Sequence, residues 1–553
     1  MIREIPDLLY DNPKMVTDHH VLQAALNEAF FLGKPKLALQ NALKLMDTGK
    51  AWDPSLFAHD LFLKDLVETC FQFKMRQVPG EVNTGVLQSL LSHPPTSLDT
   101  IQFRQNIMAE LQNAEVLEDV KRVYASLQWM IHYLNSSMQG SYSSYSDITS
   151  WKMMVLRQIR TVIDLMAHSF ENSQSGLSRM RRAGLELKNS KKYDQLSDLV
   201  DYDDNMLGLN LNIKVGASGD IRDFRIQNIK ENTENKHYSP PGRRLWDKVK
   251  LWLRGYKFSN VELVGTLIEK VYKDLEPWLT LFLQLMGHLE FYLAGYAFKE
   301  KANAAGLAVC LPQFTQDKVQ TKMENLFNPL LFKQDITPVP SPVASGYGTT
   351  TLITGPNSGG KTRLLQALGI AQLMGQSGLY APASSARLHI MHGMFVSLIE
   401  EGRVDQKEGR LGMELIRIRT LFEKSNMRCM ILLDELCSGT NPSEGIEILD
   451  LVLNLLPKLN PNAFISTHFL EYARSLEKER PIPNLEFLKV HLNKREEATY
   501  QFAPGVASTS LARNTAKRLG VTLDELLSLI EKRSKRSQNQ EPKSLISALS
   551  TAP

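Results

Sequence analysis

Hydrophobic positions keep two rhythms along the chain, helical spacing before about residue 338 and short unbroken apolar runs after it. From about Met15 to Met75, Leu37, Leu39, Leu43 and Leu45 predict short helices. Pro79, Gly80, Asn83, Gly85, Pro94 and Pro95 then predict a linker from Val78 to Pro95. Ser97-Leu98-Asp99 reads as a helix start, and Ile101, Ile107, Leu111 and Val116 to Val123 continue it as one long amphipathic pattern. Helical periodicity returns from Trp151 to Phe170 and from Val261 to Lys301. Between them Leu207 to Ile229 alternates apolar with polar, which predicts a strand pair turning at Ala217-Ser218-Gly219-Asp220. After the proline-rich Pro338 to Pro342, apolar strands alternate with helices to about Lys535, the α/β signature. Ser534 to Pro553 is mostly polar and predicts a loose tail.

Composition narrows the classes. The chain has 553 residues, 43% hydrophobic and 22% charged, enough for several buried cores and unlike a disordered or collagen-like chain. A net charge of +4 argues against a globally basic nucleic-acid binder. Locally the balance is uneven. Lys214 to Lys257 holds eleven Lys and Arg against five Asp and Glu, with Trp246 and Trp252 among them. Upstream, Arg179, Arg181, Arg182, Lys188, Lys191 and Lys192 precede the acidic Asp194, Asp198, Asp201, Asp203 and Asp204. Should the chain bind DNA, the two basic runs are the candidates for phosphate-backbone contact. Four cysteines without metal-ligand spacing point to a reducing compartment. The first residues lack the apolar core of a secretory signal. Trp278 to Phe298 is apolar but broken by Gln284, His288 and Glu290, which predicts a buried helix, not a membrane span. A soluble, intracellular, multidomain protein with no membrane partner is expected.

The chemistry begins at Thr349 to Thr354, a β-branched strand that runs into Gly355-Pro356-Asn357-Ser358-Gly359-Gly360-Lys361-Thr362 and then into a helix from Arg363 to Met374. Strand, G-x-x-x-x-G-K-[ST] loop and helix in that order form a phosphate-binding loop. The glycines let backbone amides turn around phosphates at a positive helix terminus. Lys361 reaches the β- and γ-phosphates of ATP, and the Thr362 hydroxyl is a Mg2+ ligand. Further on, Cys429 to Leu433 is an apolar strand ending at Asp434-Glu435; Asp434 is placed to hold Mg2+ through its water shell and Glu435 to polarise the attacking water. Ala463 to Thr467 is another such strand, ending at His468, which can contact the γ-phosphate or orient the water. Together, in this order, these features define an ABC-type ATPase, a class that hydrolyses ATP between two nucleotide domains, so a dimer is implied.

The same residues resemble the MutS family of DNA mismatch-repair ATPases. Gly355 to Thr362 is similar to its Walker A, with Pro-Asn after the first glycine, and Leu373 to Ala383 looks like the segment after the P-loop helix. Asp434-Glu435-Leu436-Cys437-Ser438-Gly439-Thr440-Asn441-Pro442-Ser443-Glu444-Gly445 resembles its Walker B and Gly-Thr loop, and Ser466-Thr467-His468-Phe469 its histidine loop. Pro504 to Ser508 and Ala516 to Gly520 resemble its C-terminal dimerisation segment, and Thr96 to Asn106 the start of its helical core. The resemblance implies an N-terminal helical region at 1–92, a helical core and lever domain at 93–337 with a β insertion near 207–230, an ABC-type P-loop ATPase at 338–535, and a polar tail at 536–553. It also implies a homodimer that uses ATP and Mg2+ to clamp double-stranded DNA that is mismatched, branched or otherwise irregular, alongside repair-protein partners. The location implied is cytoplasmic, at the nucleoid in a bacterium, or nuclear or organellar in a eukaryote.

The chain departs from the family in three places. Residues 1–92 contain no Phe-x-Glu mismatch-reading motif. Gly409-Arg410-Leu411 stands where the family carries Ser-Thr-Phe. Gly-Thr-Asn-Pro-Ser-Glu-Gly is closer to the branch that handles branched or recombining DNA, yet only about 20 residues follow the ATPase, no room for that branch's nuclease domain. The alternative reading is an ABC-type ATPase whose helical region grips a protein partner in place of DNA.

Overall fold

The structure is a computed structural model that describes residues 2–14, 19–32, 39, 52–76, 78–135, 145–205, 209–215, 221–229, 260–315, 318–398, 410–437, 440–508 and 521–538. Two compact units emerge: Met1–Pro338 together with Ala367–Met394, and Val339–Gln366 together with Phe395–Pro553.

The first unit is chiefly helical. Its elements are α1 (His19–Asn27), α2 (Leu63–Cys70), α3 (Thr84–Ser92), α4 (Leu98–Glu110), α5 (Ala114–Asn135), α6 (Tyr145–His168), α7 (Ser178–Lys188) and α8 (Lys191–Asn205). An antiparallel hairpin of β1 (Leu209–Val215) and β2 (Ile221–Ile229) follows, then α9 (Asn260–Ala304). The residues of the expected turn, 216–220, lie outside the described residues. Helix α6 packs on α5, α7, α8 and α9, and α9 also packs on α5, so apolar stripes of several helices share one core.

Two local expectations are corrected here. Residues 78–95 do not form a simple linker, because α3 occupies 84–92: the Asn83 side chain caps it by accepting from the Val86 amide, and Val86, Leu87, Leu90 and Leu91 are buried. Ile101 to Val123 is two helices, α4 and α5, separated at 111–113.

The polar residues that interrupt the apolar run of α9 explain themselves by their partners. Gln284 donates to the Lys14 carbonyl at 3.1 Å, His288 Nδ1 accepts from the Leu8 amide at 3.2 Å, and the Tyr292 hydroxyl donates to the Leu8 carbonyl. They hold the N-terminal segment along the buried stretch of the helix, residues 278–295. Among the described residues no helix is long and apolar enough to cross a membrane. Arg104, itself buried, completes the seam: Nε donates to the Leu9 carbonyl at 2.8 Å and a terminal nitrogen to the Ser377 carbonyl at 3.2 Å.

Glu290, on the same helix, is fully buried and accepts from the Asn83 amide at 2.5 Å and from the Tyr124 hydroxyl at 3.4 Å. Burial pushes its pKa up from the ordinary 4.5 to about 7, against the smaller pull of those two donors. Between these values the folded chain holds a proton that the unfolded chain has released. Stability therefore falls as pH rises through that window, by about 3 kcal/mol in all. Glu290→Gln keeps an acceptor for Asn83 and removes the titration. It is expected to match the native chain at pH 4.5 and to unfold at higher urea above pH 7; identical pH profiles for the two chains would refute this.

The first unit also contains β3 (Gln313–Thr315) and β4 (Thr321–Leu326). The second continues with β5 (Ser341–Ser345), β6 (Thr350–Thr354) and α10 (Lys361–Gln376). The division between the units falls inside α10, whose residues from Ala367 onward belong to the first. In that unit β7 (Ser385–His389) pairs parallel with β3 and antiparallel with β4. There Gln372 donates to the His389 carbonyl at 2.9 Å, and Gln376 to the carbonyls of Met391 at 2.7 Å and Pro95 at 3.0 Å.

The remaining elements are β8 (Met394–Ser397), α11 (Arg410–Lys424), β9 (Met430–Leu433), α12 (Pro442–Leu455), β10 (Asn462–Ser466), α13 (Leu470–Glu479), β11 (Leu485–Leu492), β12 (Ala498–Pro504) and α14 (Leu523–Gln538). One six-stranded sheet runs in the order β12-β11-β6-β10-β9-β8, with β11, β6, β10 and β9 parallel and β12 antiparallel to β11. Every residue of β6, β9 and β10 is buried, as expected of central strands covered on both faces, although only β9 is wholly apolar. Helix α14 reaches Gln538, so residues 534–538 are helical where a loose tail was expected; residues 539–553 lie outside the described residues.

Candidate functional site

Neighbouring parallel strands deliver their C-terminal ends to one edge of a sheet, where open α/β sheets bind ligands. Strand β6 sits beside β10 and β10 beside β9, with Ser466 paired to Ile353 and Ile465 to Leu433. Residues far apart in sequence, the P-loop after β6, Asp434-Glu435 after β9 and Thr467-His468 after β10, therefore meet at one edge.

The loop is shaped by its glycines. Gly355 has φ +146°, and a Cβ there would come within 2.5 Å of Val490 Cγ2, so the floor that β11 supplies admits no side chain. At Gly359 a Cβ would lie 2.9 Å from both the Pro356 carbonyl and Val490. Pro356 is buried, while Asn357 and Ser358 are exposed at the loop tip. Ser358 takes a left-handed φ of +67°.

Lys361 and Thr362 open α10. Lys361 is 5% exposed; its Nζ donates to the Gly355 carbonyl at 3.1 Å and the Pro356 carbonyl at 3.4 Å and lies 3.2 Å from Glu435 Oε1. The Thr362 hydroxyl donates to Asp434 Oδ2. The Asp434 amide is held by the Ser397 carbonyl at 2.9 Å. Burial raises the Asp434 pKa, while hydrogen bonds from Ser466 and Thr362 and the charge of Lys361 draw it back down. Glu435 has φ +46° and Cys437 φ +58°, a left-handed turn taken without glycine immediately after β9. Four expected residues, Lys361, Thr362, Asp434 and Glu435, are thus in one set of contacts.

His468 is placed at this edge by its strand and is partly exposed, its ring 4.1 Å from that of Phe469. Thr440 donates to Glu444 at 2.7 Å, and Asn441 caps α12 ahead of Pro442, so the stretch after the acidic pair is a helix start. Ser438, Gly439 and Gly409 lie outside the described residues, and Arg410 is the first residue of α11.

Two contributors were not expected from the sequence. Val490 forms the floor of the loop, and the Ser466 hydroxyl donates to Asp434 Oδ1 while accepting from the Glu435 amide at 2.9 Å. Ser466 stood within the recognised Ser-Thr-His run; a polar residue closing a buried apolar strand was the available signal.

The donor set suits its implied ligands. Thr362 and Asp434 offer adjacent hard oxygens, the one- or two-ligand hold that suits Mg2+ beside phosphate oxygens. Among the described residues no three or more His, Cys, Asp or Glu gather into a separate metal cage. The loop of small residues with a buried lysine beneath it fits a polyphosphate.

The upstream basic series behaves differently from expectation. Arg179 donates to the carbonyls of Asp7, Tyr10 and Asp11 and lies over the Phe103 ring. Arg181 pairs with Glu171, Arg182 with Glu4 and Lys188 with Asp164, and Lys192 donates to the Asp274 carbonyl. These five cations bind the chain's own carbonyls and carboxylates, Arg182 doing so while half exposed, and Lys191 is exposed. Residues 230–259, with Trp246 and Trp252, lie outside the described residues.

Residues 351–531 match the family described as MutS domain V. The chain is 31% identical over 245 residues to an Endonuclease MutS2 of Streptococcus uberis, covering 43% of this chain and 29% of the relative. An Endonuclease MutS2 of Streptococcus mutans is 32% identical over 243 residues with the same coverage, and one of Ligilactobacillus salivarius is 26% identical over 301 residues, 54% of this chain and 37% of the relative. The match takes in well under half the length of these relatives. Residues 351–531 are thus similar to domain V of the MutS family, and the wider match is to proteins named Endonuclease MutS2.

Proposed function

We propose that the chain is a Mg2+-dependent ATPase of ABC type that works as a dimer to control binding to irregular double-stranded DNA. The observation that carries the reading is the joining of Lys361 to Glu435 and Thr362 to Asp434 across the ends of β6 and β9, the two strands that flank β10. The loop amides and Lys361 bind and neutralise the ATP phosphates. Thr362 and Asp434 would hold Mg2+, which would supply charge neutralisation at the ATP phosphates. Glu435 orients the attacking water and accepts its proton. His468 steadies the water or the γ-phosphate from the next strand end.

The dimer is supported by α14, whose Leu523, Leu526, Leu527, Leu529 and Ile530 are all exposed, an apolar face that suits burial against a second copy. DNA contact falls to the basic run from Lys214 to Lys257. Binding to duplex DNA is expected to weaken about a hundredfold or more between 50 and 200 mM salt, as several phosphate contacts require. A flat titration would remove that run from the interface. ATPase rates measured with duplex, mismatched and four-way DNA test the function itself. Stimulation by one of them supports DNA as the partner, whereas a rate indifferent to every DNA favours a protein partner held by the helical region.

A further inference from the structure

We propose that Ser466 is a positioning residue that sets both carboxylates of the acidic pair; the inference rests on the ATPase reading of the same site. Ser466 ends β10 and is fully buried. A serine hydroxyl has a single proton, and Asp434 accepts it at Oδ1, which leaves the Ser466 oxygen to accept from the Glu435 amide at 2.9 Å. The direction of both hydrogen bonds is therefore fixed. Because Thr362 takes Oδ2, each Asp434 oxygen is claimed by a different hydroxyl and the carboxylate plane is held against rotation. The bond to the Glu435 amide has a second effect. It tethers a non-glycine residue at φ +46°, and that backbone angle aims the Glu435 carboxylate toward Lys361.

The next residue has a separate task. The Thr467 amide donates to the Ile353 carbonyl and its hydroxyl accepts from the Phe469 amide, so Thr467 shapes the path to His468 while Ser466 shapes the acidic pair. Groups that orient metal ligands from behind typically account for about ten- to a hundredfold in metal affinity or activity.

The test compares Ser466→Ala, Ser466→Cys and Ser466→Thr with the native chain. Three quantities are measured: affinity for a fluorescent ATP analogue in EDTA and in Mg2+, the Mg2+ concentration giving half-maximal hydrolysis, and the melting temperature. In the alanine variant, affinity in EDTA is expected to stay at the native value. The gain in affinity on adding Mg2+ shrinks, the Mg2+ requirement rises and kcat falls, each of the last two by about ten- to a hundredfold. Threonine, which keeps the hydroxyl, restores both. Cysteine, nearly isosteric but a poor donor, behaves as alanine does and stands in for it should the alanine variant fail to fold. A lowered melting temperature with native Mg2+ requirement and kcat would overturn the proposal, leaving Ser466 a structural strand end. Absence of Mg2+-dependent hydrolysis in the native chain would overturn the ATPase reading instead.

Discussion

Glu435→Gln is expected to bind ATP with native affinity and to hydrolyse it about a hundred- to ten-thousandfold more slowly, the range over which a positioned general base acts. Glutamine has the same length, keeps an oxygen within reach of Lys361 Nζ and leaves the backbone amide on Ser466 undisturbed. What it lacks is the negative charge that takes a proton from water. Lys361, Thr362 and Asp434 remain to hold nucleotide and ion. Single-turnover hydrolysis beside an equilibrium titration separates the two effects. Hydrolysis at the native rate would show that Glu435 is not the base.

Lys361→Ala should fail in the opposite way, at binding. The ammonium is almost wholly buried and is the cation in contact with the loop's own carbonyls. Its removal takes away charge-assisted hydrogen bonds to phosphate and leaves Glu435 without its ion-pair partner at the same edge. Affinity for ATP is expected to drop on the order of a hundredfold, equivalent to about 3 kcal/mol. Unchanged affinity in a titration would refute the phosphate role. Together the variants separate turnover from capture in two residues 3.2 Å apart.

How much of this was readable from the chain depended on how local each signal is. The P-loop announces itself in eight consecutive residues, and Asp434, Glu435 and His468 each close an apolar run, so their shared edge follows once β6, β10 and β9 are taken as parallel neighbours. Val490 carried no such notice, and Ser466 showed only as a polar residue closing an apolar run. Their roles arise from which strand lies beside which, and side-chain periodicity is silent on strand order. Helix α3 was hidden for another reason: Pro79, Gly80, Pro94 and Pro95 gave its flanks the composition of a loop, while burial of Leu87, Leu90 and Leu91 decided the segment between them. Arg179 misled through charge. It belongs to a run of cations that reads as a surface for a polyanion, yet its own guanidinium binds the carbonyls of Asp7, Tyr10 and Asp11.

Because the boundary between the units runs through α10, the order of the chain and the order of its parts do not coincide. A piece beginning at Val339 would carry 367–394 away from the Pro95 carbonyl that receives Gln376 and from the Arg104 that binds the Ser377 carbonyl. A piece ending at Pro338 would give up β7 and, with it, the strand that pairs with both β3 and β4. Neither fragment inherits a finished interior. Neither unit is one contiguous stretch of the chain, so its modularity is a property of the folded body and not of the gene.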